Sequence, residues 1–301
     1  MSGEATAAAA HKLVDAASYD ATADAFDELT ERFAAPLAER MLDLAAIRPS
    51  DRVLDVGSGT GLVAIRAGRR VETGRVLGID HSQGMLGRAA DKARAAGLAG
   101  KVAFQAMDAE ALDLADGAFD AVVSLFVLRH LPNPAVAVKE MRRVLAPGGR
   151  LAVAVGSGPS LFSLQGVSAA ARTLASNIRQ ARGRLLLAPD FLKGLMVEQG
   201  LWAERNDAGH HHHIDVAAII RQAGFSSVRA SWAGSSVDLD PETFWAVQAT
   251  YGSNERVRLA ELDPAQVARL KAEFLTRAAA VVAKGGKLTY RYGAMYYEAV
   301  R

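Results

Sequence analysis

The sequence has no cysteine, which removes disulfides, thiolate metal sites and cysteine nucleophiles together and fits a reducing compartment. It also lacks an excess of either charge. Against 35 Lys and Arg stand 33 Asp and Glu, and a net charge of +2 is too small for the broad basic field that a phosphate backbone requires. A nucleic-acid partner is therefore not expected. No segment approaches the roughly 18 consecutive apolar residues of a membrane-crossing helix. Met1 to Ala10, though rich in alanine, shows no basic region followed by a long apolar run. These absences lead to the expectation of a cytoplasmic protein without membrane insertion. What is present is 50% hydrophobic residues in a chain of 301, enough for one large core with insertions but short for two full-sized domains.

From His11 to Ile47 apolar residues recur at helical spacing, with Pro36 marking a break between two helices. Short β-rich runs then alternate with helical patterns. The strands are expected at Arg52 to Val56, Arg75 to Ile79, Lys101 to Gln105, Phe119 to Ser124 and Arg150 to Val155. The helices between them fall at Leu62 to Arg70, Met85 to Ala96 and Pro134 to Leu145, the last stopped by Ala146-Pro147-Gly148-Gly149. Nearly continuous apolar strands separated by helices require a parallel sheet covered on both faces, so a doubly wound α/β core follows. Beyond Gly156 lie helical stretches near Leu161 to Ala181 and Asp190 to Arg205, a helix at Asp215 to Ala223, and a sixth strand at Ser226 to Trp232. Helices at Pro241 to Tyr251 and Pro264 to Ala283 precede a strand or hairpin at Lys287 to Val300. The expected domains are a helical lid over 1–50, a core over 51–155 and 214–301 with a helical insertion at about 239–284, and a helical cap over 156–213.

Gly57, Gly59 and Gly61 stand where the first strand turns into the first core helix, where residues without Cβ let backbone approach a ligand. A dinucleotide site wants G-x-G-x-x-G, and its third position here is Leu62. The spacing is instead G-x-G-x-G behind Asp55. That suits a ligand with a cationic amino group and a carboxylate, Asp55 holding the charged end or orienting the loop while backbone N–H groups face the ligand. Asp80 ends the second strand, where an acidic side chain meets ribose hydroxyls, and Asp108 follows the third, where a carboxylate accepts an adenine amine. Each carboxylate alone also reads as a helix cap or solvated turn. Falling at successive strand ends, they address one nucleoside.

Val53 to Gly61, Gly78-Ile79-Asp80-His81-Ser82 with Met85-Leu86, Met107-Asp108-Ala109-Glu110, Phe119 to Ser124 and Leu145 to Leu151 resemble the successive motifs of class I S-adenosylmethionine-dependent methyltransferases. The chain is similar to the ubiquinone/menaquinone-biosynthesis type and to related small-molecule enzymes of secondary metabolism, over Tyr19 to Val155 and Asp215 to Phe225. The resemblance implies a Rossmann-like, seven-stranded sheet with an antiparallel last strand and helical cap insertions, and S-adenosyl-L-methionine as cofactor. It places Gly57, Ser58, Gly59 and Gly61 against the methionine part and Asp80 on the ribose. Ser82 or Met85 would flank the adenine, Asp108 would bind its amine, Ser124 and Leu125 would approach the sulfonium side, and His81, Met107 and Ala109 are counted among the residues that bind the cofactor. Tyr19 resembles an aromatic that folds over the cofactor, and reads equally as helix packing.

In-line methyl transfer needs alignment and exclusion of water more than a catalytic triad. An acidic acceptor is helped by a base, for which histidine is suited. His130 follows the fourth strand and reads either as that base or as a turn residue. In the run His210-His211-His212-His213, His210 or His211 is a second candidate base; the run reads also as a solvated loop. Adjacent residues point in divergent directions, so no metal site is expected. The aromatic residues, only 6% of the chain, concentrate in the later half, as core packing or as the lining for an apolar small-molecule substrate. Two function classes remain open: methyl transfer to an oxygen or carbon atom of an apolar, natural-product or quinone-like molecule, and cyclisation or rearrangement on the same fold without methyl transfer. A monomer or homodimer is compatible with both.

Overall fold

The computed structural model describes residues 10, 12–14, 16–20, 22–156, 191–202 and 214–301. Residues 12–14 and 16–20 are helical. They precede α1 (Ala23–Phe33) and α2 (Ala35–Leu44). The break expected at Pro36 is present: α1 ends at Phe33, and Pro36 sits in the first turn of α2, where the missing N–H costs nothing.

The core then alternates: β1 (Arg52–Val56), α3 (Leu62–Arg70), β2 (Arg75–Asp80), α4 (Gln83–Ala95), β3 (Val102–Ala106), β4 (Phe119–Leu125), α5 (Pro134–Val144) and β5 (Leu145–Gly156). After α6 (Phe191–Glu198) and α7 (Val216–Gln222) come β6 (Ser226–Leu239), α8 (Pro241–Tyr251), α9 (Ser253–Glu261), α10 (Pro264–Ala283) and β7 (Leu288–Val300). Among the described residues these strands form one seven-stranded sheet in the order β3-β2-β1-β4-β5-β7-β6. β1 runs parallel to β2 and β4, β2 to β3 and β4 to β5, whereas β7 is antiparallel to β5. The expected seven-stranded, doubly wound, Rossmann-like sheet is therefore present.

Central strands are covered on both faces, which explains their unbroken apolar runs: Val53, Leu54, Val56, Val122 and Val123 are fully buried. On one face they pack with Met141, Val144, Val216 and Ile220 from α5 and α7. The strand order reverses direction between β1 and β4. In an open α/β sheet the crevice outside the carboxyl ends at such a switch is where a ligand is received.

The chain divides into two compact units, 1–156 with 207–233 and 294–301, and 157–206 with 234–293. The second has its own core, in which Phe274 packs against Phe191, Phe244 and Trp245 at ring-centroid distances of 4.9, 5.8 and 5.2 Å. These aromatic side chains are thus core packing. Three differences from the sequence expectation have local causes. The helix expected to run to Arg205 ends at Glu198. There Gly200 adopts a left-handed φ of +66°, and Gly200 and Leu201 donate to Val197 and Met196 at 3.1 and 2.8 Å, a closed C-terminal cap. β5 begins at Leu145 rather than Arg150, because Gly148 and Gly149 exchange backbone hydrogen bonds with Arg301 across a bulge. α9 was not expected, since its sequence SNERVRLAE carries too few apolar residues to show a periodic face.

The expected cap over 156–213 falls mostly outside the described residues, as do Phe162 and the run His210 to His213 with its candidate bases His210 and His211. No described helix is long and apolar enough to cross a membrane.

Candidate active site

The glycine loop leaves β1 at the switch point and turns back at once. Its N–H groups do not face outward as expected. Gly57 and Ser58 both donate to the Ile79 carbonyl at 2.8 Å, Gly61 donates to Ser58 at 2.8 Å, and Gly59 donates to Asp80 Oδ2 at 2.8 Å. The loop is thereby folded onto the end of β2 by its own backbone.

All three glycines have left-handed φ, +72°, +51° and +82°. A Cβ added at Gly57 would lie 2.1 Å from a Val127 methyl and 3.0 Å from Val127 Cβ. The space above Gly57 therefore belongs to the segment that follows β4. Only Gly59 is open, its nearest neighbour being the Phe26 ring at 4.0 Å. The valine is stiff about χ1, and an L-residue at this φ is strained. Gly57→Ala is thus expected to lower stability by about 2–4 kcal/mol. A fall in the urea midpoint checks this, whereas an unchanged midpoint would show that Val127 can move aside.

Asp55 is 1% exposed, and neither carboxylate oxygen has a hydrogen-bond partner among the described residues. Burial pushes its pKa up to about 7. The Ala64 N–H of α3 pulls the other way, without an ordinary hydrogen bond, and the charge of Asp80 adds to the rise. The buried hydroxyls of Ser58 and Thr60 are also unpartnered. A loop with two carboxylate oxygens and two hydroxyls buried without partners, beside a glycine face cleared of side chains, fits a ligand that brings an ammonium group and further polar atoms.

Asp80 accepts from Gly59 N–H and, through Oδ1, from Ser82 N–H at 3.0 Å. Burial raises its pKa, opposed by backbone N–H groups of Ser82, Gly59 and His81. Each oxygen keeps a lone pair for a ligand hydroxyl. Ser82 is buried and caps α4, accepting from Met85 N–H at 3.1 Å while donating to Asp20. His81 is exposed at the same strand end. Met85 and Ala109 are buried, and Met107 packs on the sheet core. Asp108 receives Lys12 Nζ at 3.0 and 2.8 Å and the Glu110 N–H at 2.9 Å. Partial burial pushes its pKa up, but the hydrogen bonds from Lys12 and the Glu110 N–H, with the charge of Lys12, together leave it lowered.

At the end of β4, Ser124 is fully buried and donates to the Val56 carbonyl at 2.9 Å, tying β4 to β1. Leu125 is half-buried at the strand end. Phe126 follows with φ +64°, unusual for a bulky residue, its N–H on the Ala154 carbonyl at 2.8 Å. His130 closes the turn through its N–H to Val127 at 2.8 Å and packs edge-on to Tyr19, ring centroids 6.2 Å apart. Tyr19 in turn meets Phe26 at 5.4 Å. Lys12, Asp20, Phe26 and Val127 were not singled out from the sequence. Asp20 stood beside Tyr19 with nothing to mark its partner 62 residues away.

A family model described as a methyltransferase domain matches residues 54–153. A ubiquinone/menaquinone biosynthesis C-methyltransferase UbiE of Pseudomonas putida is 33% identical over 174 residues, 53% of this chain and 68% of that protein. The chain belongs to the class I S-adenosylmethionine-dependent methyltransferases of the UbiE type. A demethylmenaquinone methyltransferase of Thermus thermophilus is 44% identical over 114 residues, 38% of this methyltransferase and 51% of the relative. The chain thus spans between about half and two thirds of the length of these curated relatives. Two solved structures share the fold of this methyltransferase. The YcgJ protein of Bacillus subtilis has a TM-score of 0.54 at 18% identity, covering 88% of this chain and 97% of its own. The [4+2]-cyclase SpnF has a TM-score of 0.51 at 24% identity, covering 89% and 81%.

Proposed function

We propose that the chain transfers the methyl group of S-adenosylmethionine to an oxygen or carbon atom of an apolar small molecule of quinone-like or natural-product type. The observation that carries this reading is the placement of three carboxylates, Asp55, Asp80 and Asp108, at the ends of successive strands beside a loop in which Gly59 alone of the three glycines has an open face. Asp55 with Ser58 and Thr60 would hold the amino-acid part, Asp80 the ribose hydroxyls, Asp108 the adenine amine with His81 beside it, and Leu125 the sulfonium end. When bound, the cofactor supplies an electrophilic methyl group on a sulfonium that leaves as a neutral thioether.

The chain's own contribution is positioning and exclusion of water. The Phe26 ring is the nearest side chain to the face of Gly59, at 4.0 Å, with Tyr19 packed on it, and a rigid end of β4, fixed by Ser124 on Val56, sets the direction of approach. His130 stands beside Tyr19 at that end and is the base proposed to take a proton from an acidic acceptor. The assignment of residues 1–50 as a lid and 156–213 as a substrate cap belongs to the same proposal. The apolar acceptor and a cytoplasmic location rest on the UbiE relatives and the charge-balanced, cysteine-free composition.

Incubation with methyl-labelled S-adenosylmethionine and a panel of demethylated quinols and phenols is expected to yield labelled product. An isomerised or cyclised product without label would overturn methyl transfer in favour of rearrangement.

A further inference from the structure

The N-terminal helices are held to the core by ion pairs that run in one direction. Asp24 and Asp27 of α1 face Arg88 and Lys92 of α4, with the Asp24–Arg88 pair at 3.3 Å. Glu31 meets Arg66 of α3 at 2.5 Å, Glu39 of α2 reaches Arg66 at 3.3 Å and Arg70 at 2.5 Å, and Asp43 meets Arg70 at 2.7 Å. In every one of these pairs the carboxylate lies on the N-terminal helices and the cation on the core. At one end of the segment the polarity inverts. Lys12 sends its ammonium to the core carboxylates Asp108, through both oxygens, and Glu110 at 3.0 Å. Its side chain is only 15% exposed there.

Asp108 lies after β3, and the backbone beside it is fixed by Met107 N–H on the Asp80 carbonyl at 3.0 Å. The Lys12 ammonium therefore stands one strand over from the carboxylate that also fixes the open glycine. A neutral amine donating to Asp108 competes with a charged donor that bridges both oxygens and is also held by a second carboxylate.

We propose that Lys12 is a latch: it occupies on Asp108 the hydrogen-bonding position of the cofactor's adenine amine, so that cofactor entry requires the N-terminal segment to release its outermost ion pair. This rests on the assignment of Asp108 to the adenine. A ligand that binds only the released state has its affinity reduced by the fraction of molecules in that state, and the coupling is reciprocal. Lys12 then sets how tightly the chain holds cofactor and product alike without touching either in the bound state. The inverted polarity follows from this role. An acidic residue at position 12 would be repelled by Asp108 and Glu110, and a neutral one would leave the adenine end uncovered in the free protein.

Calorimetric titration with S-adenosylhomocysteine, which needs no turnover, tests the proposal in the wild type, Lys12→Met, Asp108→Asn and the double variant. Methionine keeps the apolar stem and removes the charge. Lys12→Met is expected to bind about threefold to tenfold more tightly, the range of a partly buried ion pair, and the gain is expected to vanish in the Asp108→Asn background. Unchanged or weaker binding by Lys12→Met, with Asp108→Asn still weakened, would overturn the latch and leave the Asp108 assignment standing. A gain that persists in the Asp108→Asn background would also overturn it. Asp108→Asn binding as tightly as the wild type would remove the assignment itself, and the latch with it.

Discussion

Asp80→Ala is expected to weaken S-adenosylmethionine binding by about two orders of magnitude, close to 2.7 kcal/mol. The carboxylate does two things at once. It accepts from the Gly59 and Ser82 N–H groups at 2.8 and 3.0 Å, and under the proposed function it also receives the ribose hydroxyls. Charge-assisted hydrogen bonds contribute about 1.5–3 kcal/mol each, so losing the ligand-facing pair alone accounts for the affinity. Stability should fall less, by about 1–3 kcal/mol. The Gly59 N–H is left without its acceptor, but the cost of burying an ionised carboxylate, visible in the raised pKa of Asp80, disappears with the side chain. Titration calorimetry at a temperature where the variant is fully folded separates the two effects. Affinity within threefold of wild type would remove Asp80 from the ribose.

Asp55→Asn is expected to raise stability at pH 8 while weakening cofactor binding. In the unfolded chain the carboxyl titrates near 3.8, and burial moves it to about 7 in the folded protein. Below pH 3.8 both states carry the proton and burial adds no penalty. Between there and about pH 7 the unfolded state has lost its proton and the folded state has kept it, so stability falls as pH rises. Above about 7 the folded carboxylate is ionised and the full penalty applies, at most about 4 kcal/mol and smaller as the surroundings relax. Asparagine is nearly isosteric and carries no charge, so this part of the pH dependence is expected to flatten. Urea unfolding of both proteins from pH 5 to 8 measures it. Parallel curves across that range would show that Asp55 is ionised throughout in the folded state.

The sheet could be read from the sequence because its strands are short apolar runs cut off by residues with one conformational meaning. Arg52 to Val56 and Leu62 to Arg70 lie on either side of the glycine loop and recur unchanged in the structure. Where polarity hid the periodicity, in α9, or where a long-range partner created the element, as Arg301 does for residues 146–149, nothing local announced it. The site divides in the same way. The carboxylates at Asp55, Asp80 and Asp108 follow from strand ends and spacing. The contacts of Lys12 with Asp108, of Asp20 with Ser82 and of Val127 with Gly57 join residues 62 to 96 positions apart, and ion pairs and van der Waals fits obey no spacing rule. The loop donors are hidden for a related reason: N–H groups can be satisfied by the neighbouring strand as well as by a ligand, and here Ile79 and Asp80 take those of Gly57, Ser58 and Gly59.

Asp20 also accepts from the Gly84 N–H at 2.8 Å, and a Cβ at Gly84 would stand 2.7 Å from that carboxylate oxygen. The second residue of α4 thus carries a backbone proton that is bonded to the N-terminal segment when that segment is seated and bonded to water when it is not. That proton is a built-in gauge: its resonance position and exchange rate report the seating of residues 16–20 from outside the glycine loop, with no label attached and no side chain altered.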